Sequence, residues 1–252
     1  MTALLDVRGL AKSFGGVAAV QDLSFAVPPN EITGLIGPNG AGKTTIFNLI
    51  TRFLPADRGS IWFRGTDVSR LKPHQLVRRG MVRSFQDIRL FGRMSVQDNV
   101  AMAVPGQDGD QLLPVLFAPR RVRRQTAAAR TRALELLDFV GMTEKAATPA
   151  DDLSYGQQKL VLIARLLALE PSLLLLDEPC SGLDPTMLDR VIALLAELTR
   201  QQRTVLLIEH NMDVIRAVTQ RVVFLAEGRA LACGPTEAIL ADPTLTRIYF
   251  GM

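Results

Sequence analysis

The stretch Gly37 to Thr45 reads GPNGAGKTT and fits the pattern G-x-x-x-x-G-K-[ST]. Apolar residues on either side predict a strand before it and a helix after it. Its glycines allow backbone conformations closed to other residues, so backbone N–H groups can approach phosphate oxygens beside the positive end of the helix dipole. Lys43 adds a full positive charge, and the Thr44 hydroxyl can coordinate Mg²⁺. The stretch therefore predicts a nucleotide-phosphate site.

We expect the whole loop to contribute to nucleotide binding through Gly37, Pro38, Asn39, Gly40, Ala41, Gly42, Lys43, Thr44 and Thr45. A glycine-rich turn of purely structural role between a strand and a helix is the alternative.

Length and composition limit the class of protein. The chain has 252 residues, a hydrophobic share of 48% and a formal net charge of +4. It can bury a sizeable core as one large domain or, as we favour, a main domain with an insert. Its apolar runs are too short to span a bilayer, and its first ten residues do not resemble a secretory signal, so we expect a cytosolic location. Two isolated cysteines indicate neither a metal site nor a disulfide framework.

Antiparallel β-structure opens the chain, because strands are predicted at 3–8 and 17–27. Phe14 lies between them beside two glycines, where it can stack on a nucleotide base or pack within the hairpin. From 87 to 152 the pattern is helical, with a loop near 105–119 and a long helix at 126–140. We therefore predict a helical subdomain at 87–152, inserted into a nucleotide-binding core formed by 1–86 and 153–252.

One dense basic cluster runs from Arg120 to Arg132, and its first five residues read RRVRR. Lipid headgroups or an acidic partner would suit it, and a solvated face at a helix start is the simpler interpretation. The other charges are scattered, so the basic balance does not indicate nucleic acid.

Acidic residues follow a predicted buried strand at 173–176, which ends in Asp177 and Glu178. The carboxyl edge of a parallel sheet is its ligand side. Asp177 would hold Mg²⁺ directly or through water, and Glu178 would orient or deprotonate the attacking water. The alternative is a pair of surface acids. His210 follows another buried strand, where it would contact the γ-phosphate or serve as an ordinary loop residue.

Taken in order, these motifs resemble the ATPase subunit of an ATP-binding cassette (ABC) transporter over essentially the whole chain. The segment LSYGQ at 153–157 matches the family signature, with Ser154 well placed as a helix N-cap. The commoner signature has glycine where this chain has Tyr155. The groups that the motif presents to phosphate are still in place: the Ser154 hydroxyl, the Gly156 backbone and the helix N-terminus.

The resemblance implies further roles for single residues. Phe14 would stack on the base, Gln86 would sense the γ-phosphate and bind Mg²⁺, and Asp184 would lie in the dimer loop. The signature groups that would contact the ATP of a partner subunit are Ser154, Tyr155, Gly156 and Gln157.

The resemblance also implies an α/β fold: a P-loop NTPase core with a mostly parallel sheet, an N-terminal antiparallel β subdomain and an inserted α-helical subdomain. ATP and Mg²⁺ would be its cofactors. Its partners would be membrane permease subunits, a second ABC ATPase (a sister chain or a second copy) and, indirectly, a periplasmic or extracellular solute-binding protein. Its place would be peripheral, at the cytoplasmic face of the inner membrane.

A finer resemblance points to one branch of the family. The segments LSYGQQ at 153–158 and SFQDIRLFGRMSV at 84–96, with the YFG ending, look like the ATPases of branched-chain amino-acid importers. Lipopolysaccharide export and urea or amide import remain alternatives, and a non-transport P-loop enzyme is a distant one.

Overall fold

The structure, a computed structural model, describes residues 3–85, 88–109 and 112–250. The chain divides into two compact units. The first comprises Met1–Arg83, Ser172–Ser181 and Leu188–Met252, and the second comprises Ser84–Pro171 and Gly182–Met187.

The strands are β1 (Leu5–Phe14), β2 (Val17–Val27), β3 (Ile32–Ile36), β4 (Arg58–Phe63), β5 (Thr66–Asp67), β6 (Met81–Arg83), β7 (Leu173–Asp177), β8 (Thr204–Ile208), β9 (Arg221–Ala226) and β10 (Arg229–Pro235). The helices are α1 (Lys43–Ile50), α2 (Pro73–Arg78), α3 (Val96–Ala101), α4 (Leu112–Phe117), α5 (Pro119–Phe139), α6 (Tyr155–Leu167), α7 (Pro185–Arg200), α8 (Met212–Val218), α9 (Thr236–Leu240) and α10 (Pro243–Phe250). Short 3₁₀ turns occur at Thr143–Lys145 and Ala150–Asp152.

The first unit contains two sheets. One is antiparallel, with strand order β2-β1-β4-β5. The other has the order β10-β9-β3-β8-β7-β6 and is parallel except for β10, which pairs antiparallel with β9 at the edge. Strands β3, β7 and β8 are buried along their whole length, in keeping with their mainly apolar sequences. The predicted α/β class is confirmed, with its N-terminal antiparallel sheet and its mostly parallel sheet.

Helix α1 joins the two sheets into one core. Its Ile46, Phe47 and Ile50 are fully buried, and they belong to a cluster that includes Leu5 of β1 and Leu175 of β7. Complete burial of one such side chain stabilises the fold by roughly 1.5–3 kcal/mol. The helix that follows the phosphate loop is therefore held on its apolar face, which fixes the position of the loop.

The second unit is mostly helical. Helix α6 packs on α3 and α5, so this unit extends to Pro171, beyond residue 152 where the sequence analysis ended the helical subdomain. Asn99 of α3 is fully buried, and its side chain bonds both the backbone N–H and the backbone carbonyl of Phe91. These bonds order the loop before α3. In the described part of the chain, no helix is both long and apolar enough to cross a membrane.

Element boundaries differ most from the prediction at β1 and α5. Strand β1 continues to Phe14 instead of ending near residue 8, because register shifts after Val7 let pairing with β2 resume. Helix α5 begins at Pro119 rather than residue 126, because proline suits the first helical position and arginine favours helix. The basic cluster therefore lies within α5, and α4 occupies part of the predicted loop.

Candidate functional site

The loop between β3 and α1 is shaped by its own neighbours. A Cβ on Gly37 would overlap the carbonyl oxygen of Leu225 in β9, and φ there is 155°. At Gly42, where φ is 94°, a Cβ would lie 2.8 Å from the carbonyl oxygen of Ala19. Both positions require glycine because the backbone of another segment approaches closely, and this requirement does not depend on a bound ligand.

Lys43 is the first residue of α1 and is 7% exposed. Its Nζ donates hydrogen bonds to the carbonyl oxygens of Gly37 at 2.7 Å and Pro38 at 2.9 Å. Burial lowers the pKa of Lys43, while the negative charges of Glu178 and Asp177 partly oppose that shift. The ammonium group thus lies in a poorly hydrated position where an anionic ligand would be favourable.

A cavity of about 300 Å³ opens beside the loop. It is lined by Ala19, Asn39, Gly40, Gly42, Lys43, Thr44, Thr45, Glu178 and His210. The fold therefore brings the phosphate loop together with Glu178, which follows β7, and His210, which follows β8. Asn39 and His210 are 171 positions apart in the chain, and these groups meet because their strands are neighbours in one parallel sheet.

Asp177 ends β7 and is 4% exposed. Its Oδ2 accepts a hydrogen bond of 2.8 Å from the guanidinium of Arg83, which also donates to Asn48 Oδ1 at 2.6 Å. Burial raises the pKa of Asp177, and the bond and charge of Arg83 partly oppose the rise. This carboxylate is held in place by a buried ion pair rather than by solvent.

Glu178 and His210 form a direct pair. His210 Nε2 lies 2.7 Å from Glu178 Oε1. Glu178 adopts a φ of 51°, and its backbone N–H donates to the carbonyl of Ile208 at 2.9 Å. Because β7 and β8 are paired, the residues after their ends are held side by side. The arrangement can hold a water molecule next to a carboxylate and an imidazole.

Glu209 and Tyr249 were given no role by the sequence analysis, yet both contact this pair. Glu209 is 3% exposed and accepts hydrogen bonds from two backbone N–H groups, and the Tyr249 hydroxyl donates to the carbonyl of His210. An acid immediately after a buried strand was the available signal for Glu209. Tyr249 belongs to the YFG segment that suggested a branch of the family, but nothing in that segment indicates a contact with His210.

Phe14 ends β1 with 47% of its surface exposed. Lys12 lies 5.7 Å from the centre of its ring and forms an ion pair of 2.6 Å with Asp57. This exposure makes the ring accessible to a planar partner, and base stacking stays a prediction.

The signature segment lies in the second unit. Ser154 caps α6: its Oγ accepts from Gln157 N at 3.4 Å, while Gln157 Oε1 accepts from Ser154 N at 3.0 Å. Tyr155 is 48% exposed. A Cβ on Gly156 would lie 2.5 Å from the Met187 side chain. The predicted N-cap is present, and the helix N-terminus it forms is accessible.

Two further residues were predicted to belong to the site, Asp184 and Gln86. Asp184 accepts from Met187 N at 3.0 Å and thus orders the start of α7. Gln86 lies outside the described residues. No group of three or more acids, histidines or cysteines suited to a metal was found among the residues that the structure places.

The basic cluster is partly neutralised by ion pairs. Arg121 contacts Asp108 at 2.7 Å, Arg130 contacts Asp98 at 2.9 Å, and Arg132 contacts Glu135 at 2.6 Å. The side chains of these three arginines are 39–63% exposed, so they stay in contact with solvent in the chain alone.

Comparison with known proteins places this fold and loop in a family. A sequence model described as ABC transporter matches residues 20–181. The high-affinity branched-chain amino acid transport ATP-binding protein LivG of Escherichia coli (strain K12) is 39% identical over 98% of both chains. BraF of Pseudomonas aeruginosa, with the same description, is 38% identical over the same shares.

Solved structures agree. A nucleotide-free ATP-binding cassette from an ABC transporter superposes with a TM-score of 0.85 at 30% identity over 100% of both chains. The ADP conformation of MJ1267, an ATP-binding cassette of an ABC transporter, gives a TM-score of 0.86 at 30% identity and the same coverage. The fold and the phosphate loop define an ATP-binding cassette. The chain belongs to the ABC transporter family, as an ATP-hydrolysing subunit.

Proposed function

We propose that this chain hydrolyses ATP to power the import of branched-chain amino acids, from a peripheral position at the cytoplasmic face of a membrane. The observation that carries the substrate class is the likeness to LivG and BraF along 98% of each chain. Lipopolysaccharide export and urea or amide import are the alternatives that the experiment below distinguishes.

The phosphate chain of ATP would lie along the loop at 37–45. Lys43 Nζ, which bonds the loop's own carbonyls, would turn to the outer phosphates, because full negative charges are stronger acceptors than carbonyl dipoles. Thr44 and Asp177 would hold Mg²⁺, and Gln86 would complete its ligands. These oxygen donors, only one of them a carboxylate, suit a hard cation that binds through one or two carboxylates together with phosphate oxygens. Bound there, Mg²⁺ would neutralise charge on the phosphate oxygens.

In the hydrolytic step, a water oxygen forms a bond to the γ-phosphorus while the bond from phosphorus to the β–γ bridging oxygen breaks. Glu178 would orient this water and accept its proton, and ADP and phosphate would leave. His210, 2.7 Å from Glu178, would contact the γ-phosphate and hold the carboxylate in position. Phe14 would stack on the base.

Two cassettes would enclose each ATP between the phosphate loop of one subunit and the signature of the other. Ser154, Tyr155, Gly156 and Gln157 would face the partner's nucleotide, and Asp184 would lie at the dimer contact. Signature groups would contact phosphate only in the closed pair. ATP would therefore bind the closed pair more tightly than the separate subunits and favour closure. The second cassette would be a sister ATPase or a second copy of this chain.

Permease subunits would receive the motion through Gln86 and the segment at 87–99. The described part of this segment is ordered by the buried Asn99, whose side chain also donates to the carbonyls of Met94 and Ser95. Such a network lets the loop move as a unit instead of deforming.

Purification of the chain from its native membranes in detergent, followed by mass spectrometry of the bound proteins, tests this proposal. Two different multi-span permeases with a second cassette ATPase would support it. Cells should also take up labelled leucine with the wild-type chain and with Glu144→Gln, an exposed control, but not with Glu178→Gln. Export permeases with a periplasmic β-rich partner, or unchanged leucine uptake in Glu178→Gln, would contradict the import proposal.

A further inference from the structure

We propose that Glu209 and Tyr249 are positioning residues, which together hold the backbone of His210 and thereby the His210–Glu178 pair in the arrangement that water attack requires. This inference rests on the roles proposed above for Glu178 and His210. Neither Glu209 nor Tyr249 lines the cavity beside the phosphate loop. Both therefore act through other groups rather than on the nucleotide.

Glu209 joins the loops that follow β7 and β8. Its Oε1 accepts a hydrogen bond of 2.7 Å from the backbone N–H of Cys180, and its Oε2 accepts one of 3.3 Å from the N–H of His210. The carboxylate is 3% exposed. A buried charge is tolerated only when it is well bonded, and here the bonded groups stand next to both members of the pair. Cys180 is two residues after Glu178, so one side chain sets the separation of the two loops.

Tyr249 holds the other side of His210. Its hydroxyl donates to the His210 carbonyl at 3.1 Å, and its ring packs edge-on against Phe224 of β9, with centroids 6.4 Å apart. Burial and the charge of Glu209 raise the pKa of Tyr249, so the hydroxyl keeps its proton and remains a donor. A residue of α10, 39 positions along the chain, thus fixes the peptide group of the histidine.

His210 is therefore restrained at three points: its N–H by Glu209, its carbonyl by Tyr249 and its ring by Glu178. The restraint matters because the His210 side chain is 40% exposed and follows the end of a strand, where little packing limits its motion. A catalytic group displaced by about 1 Å can lose up to about 100-fold in rate. Glu209 and Tyr249 supply rigidity that the exposed imidazole lacks.

Steady-state kinetics of Tyr249→Phe and Glu209→Gln test the inference. Tyr249→Phe removes one hydroxyl and keeps the ring against Phe224. We expect kcat for ATP hydrolysis to fall roughly tenfold in each variant, with KM for ATP within about twofold of wild type. Thr246→Val is the control, because it removes a hydroxyl from the same helix α10 that donates to the carbonyl of Asp242 at 3.0 Å. It should leave kcat unchanged.

A double-mutant cycle separates positioning from general stability. If Tyr249 acts through His210, then Tyr249→Phe should change kcat by less than about twofold in a His210→Ala background. An equal loss of kcat in both backgrounds would overturn the proposal, as would normal kcat in Tyr249→Phe and Glu209→Gln while His210→Ala is impaired. Normal kcat in His210→Ala itself would overturn it together with the role proposed for His210.

Discussion

At the scale of single residues, the site holds charged groups in positions that cost free energy. Glu178 has a left-handed backbone with φ of 51°, a conformation that costs about 1–3 kcal/mol for residues other than glycine. Lys43 is buried with a lowered pKa. Such costs persist where the surrounding structure enforces them, here the pairing of β7 with β8 and the close approach of Leu225 to the loop.

Replacing the proposed base tests the hydrolytic step. Glu178→Gln keeps the shape of the side chain but cannot accept a proton, so turnover should fall at least about 100-fold while ATP binding persists. Steady-state phosphate release and nucleotide titration measure the two properties. Glu144→Gln, the same change at an exposed position, should retain wild-type turnover. Near-normal turnover of Glu178→Gln would remove this residue from the role of base.

The phosphate loop is tested by its lysine. Lys43→Ala removes charge-assisted hydrogen bonds to phosphate, each worth about 1.5–3 kcal/mol, so ATP affinity should weaken roughly 10- to 100-fold. Titration calorimetry measures this directly. Lys145→Ala removes an exposed lysine of the second unit and should leave the affinity intact. Unchanged affinity in Lys43→Ala would contradict the phosphate-loop assignment.

At the scale of elements, serine side chains cap the starts of two helices in the second unit. Ser154 caps α6 and Ser95 caps α3, and each serine accepts a backbone N–H within its own first turn. The same device thus serves a helix proposed to face a nucleotide and one buried within its unit. The two caps differ in proposed function, although in each the serine Oγ accepts a backbone N–H three residues on, from Gln157 at 3.4 Å and from Asp98 at 3.0 Å.

The signature role can be separated from capping by comparing these two serines. Ser154→Ala and Ser95→Ala should each lower the free energy of unfolding by about 1 kcal/mol. ATP affinity of the isolated chain should be spared in both. ATP-driven dimerisation, followed by light scattering, should be impaired in Ser154→Ala alone. Loss of dimerisation in both variants would attribute the effect to stability instead.

An ion pair fixes the connection between β1 and β4 and predicts a dependence on pH. Bonds from the Lys12 side chain at 2.6 Å and the Ser13 N–H at 2.8 Å lower the pKa of Asp57 below its ordinary 3.8. A depressed pKa means that the stabilisation is present above pH 3.8 and is lost as the pH falls through the folded-state value.

Asp57→Asn should therefore unfold at a lower urea concentration than wild type at pH 7, and this difference should shrink below pH 3.8. Asp189→Asn, at an exposed position of α7, is the control, because it changes the net charge of the chain by the same amount. A difference in urea midpoint that does not vary between pH 7 and pH 3 would show that the carboxylate charge is not responsible.

At the scale of the whole molecule, the chain contains the phosphate loop in one unit and the signature in the other. We propose that each is completed by the partner subunit, so closure and hydrolysis are linked through nucleotide. The Glu178→Gln variant separates these events, because it should bind ATP without consuming it.

The expected result is that Glu178→Gln with ATP and Mg²⁺ elutes as a stable dimer in size-exclusion chromatography with light scattering. The wild-type chain should return to the monomer as ATP is consumed. Adding Lys43→Ala to the variant should abolish the dimer, because nucleotide no longer binds tightly. A Glu178→Gln chain that stays monomeric with ATP would contradict the closed pair, unless the native pair requires a sister chain, which mixing with the co-purified ATPase would reveal.

The sequence by itself indicated most of the strands and helices in their order, although not α4, together with the loop at 37–45 and the cap at Ser154. These features depend on local periodicity and on short motifs. It also placed acids after β7, because a buried strand that ends in Asp177 and Glu178 is visible in one short segment.

Only the tertiary structure decided which distant groups meet. Tyr249 reaches His210 from α10, and Glu209 bonds the N–H of Cys180, 29 residues away. Leu225 makes Gly37 obligatory from another strand. The reason is physical: such contacts depend on strand order and on the packing of helices, so even a visible feature such as the acid after β8 does not show which distant group it bonds.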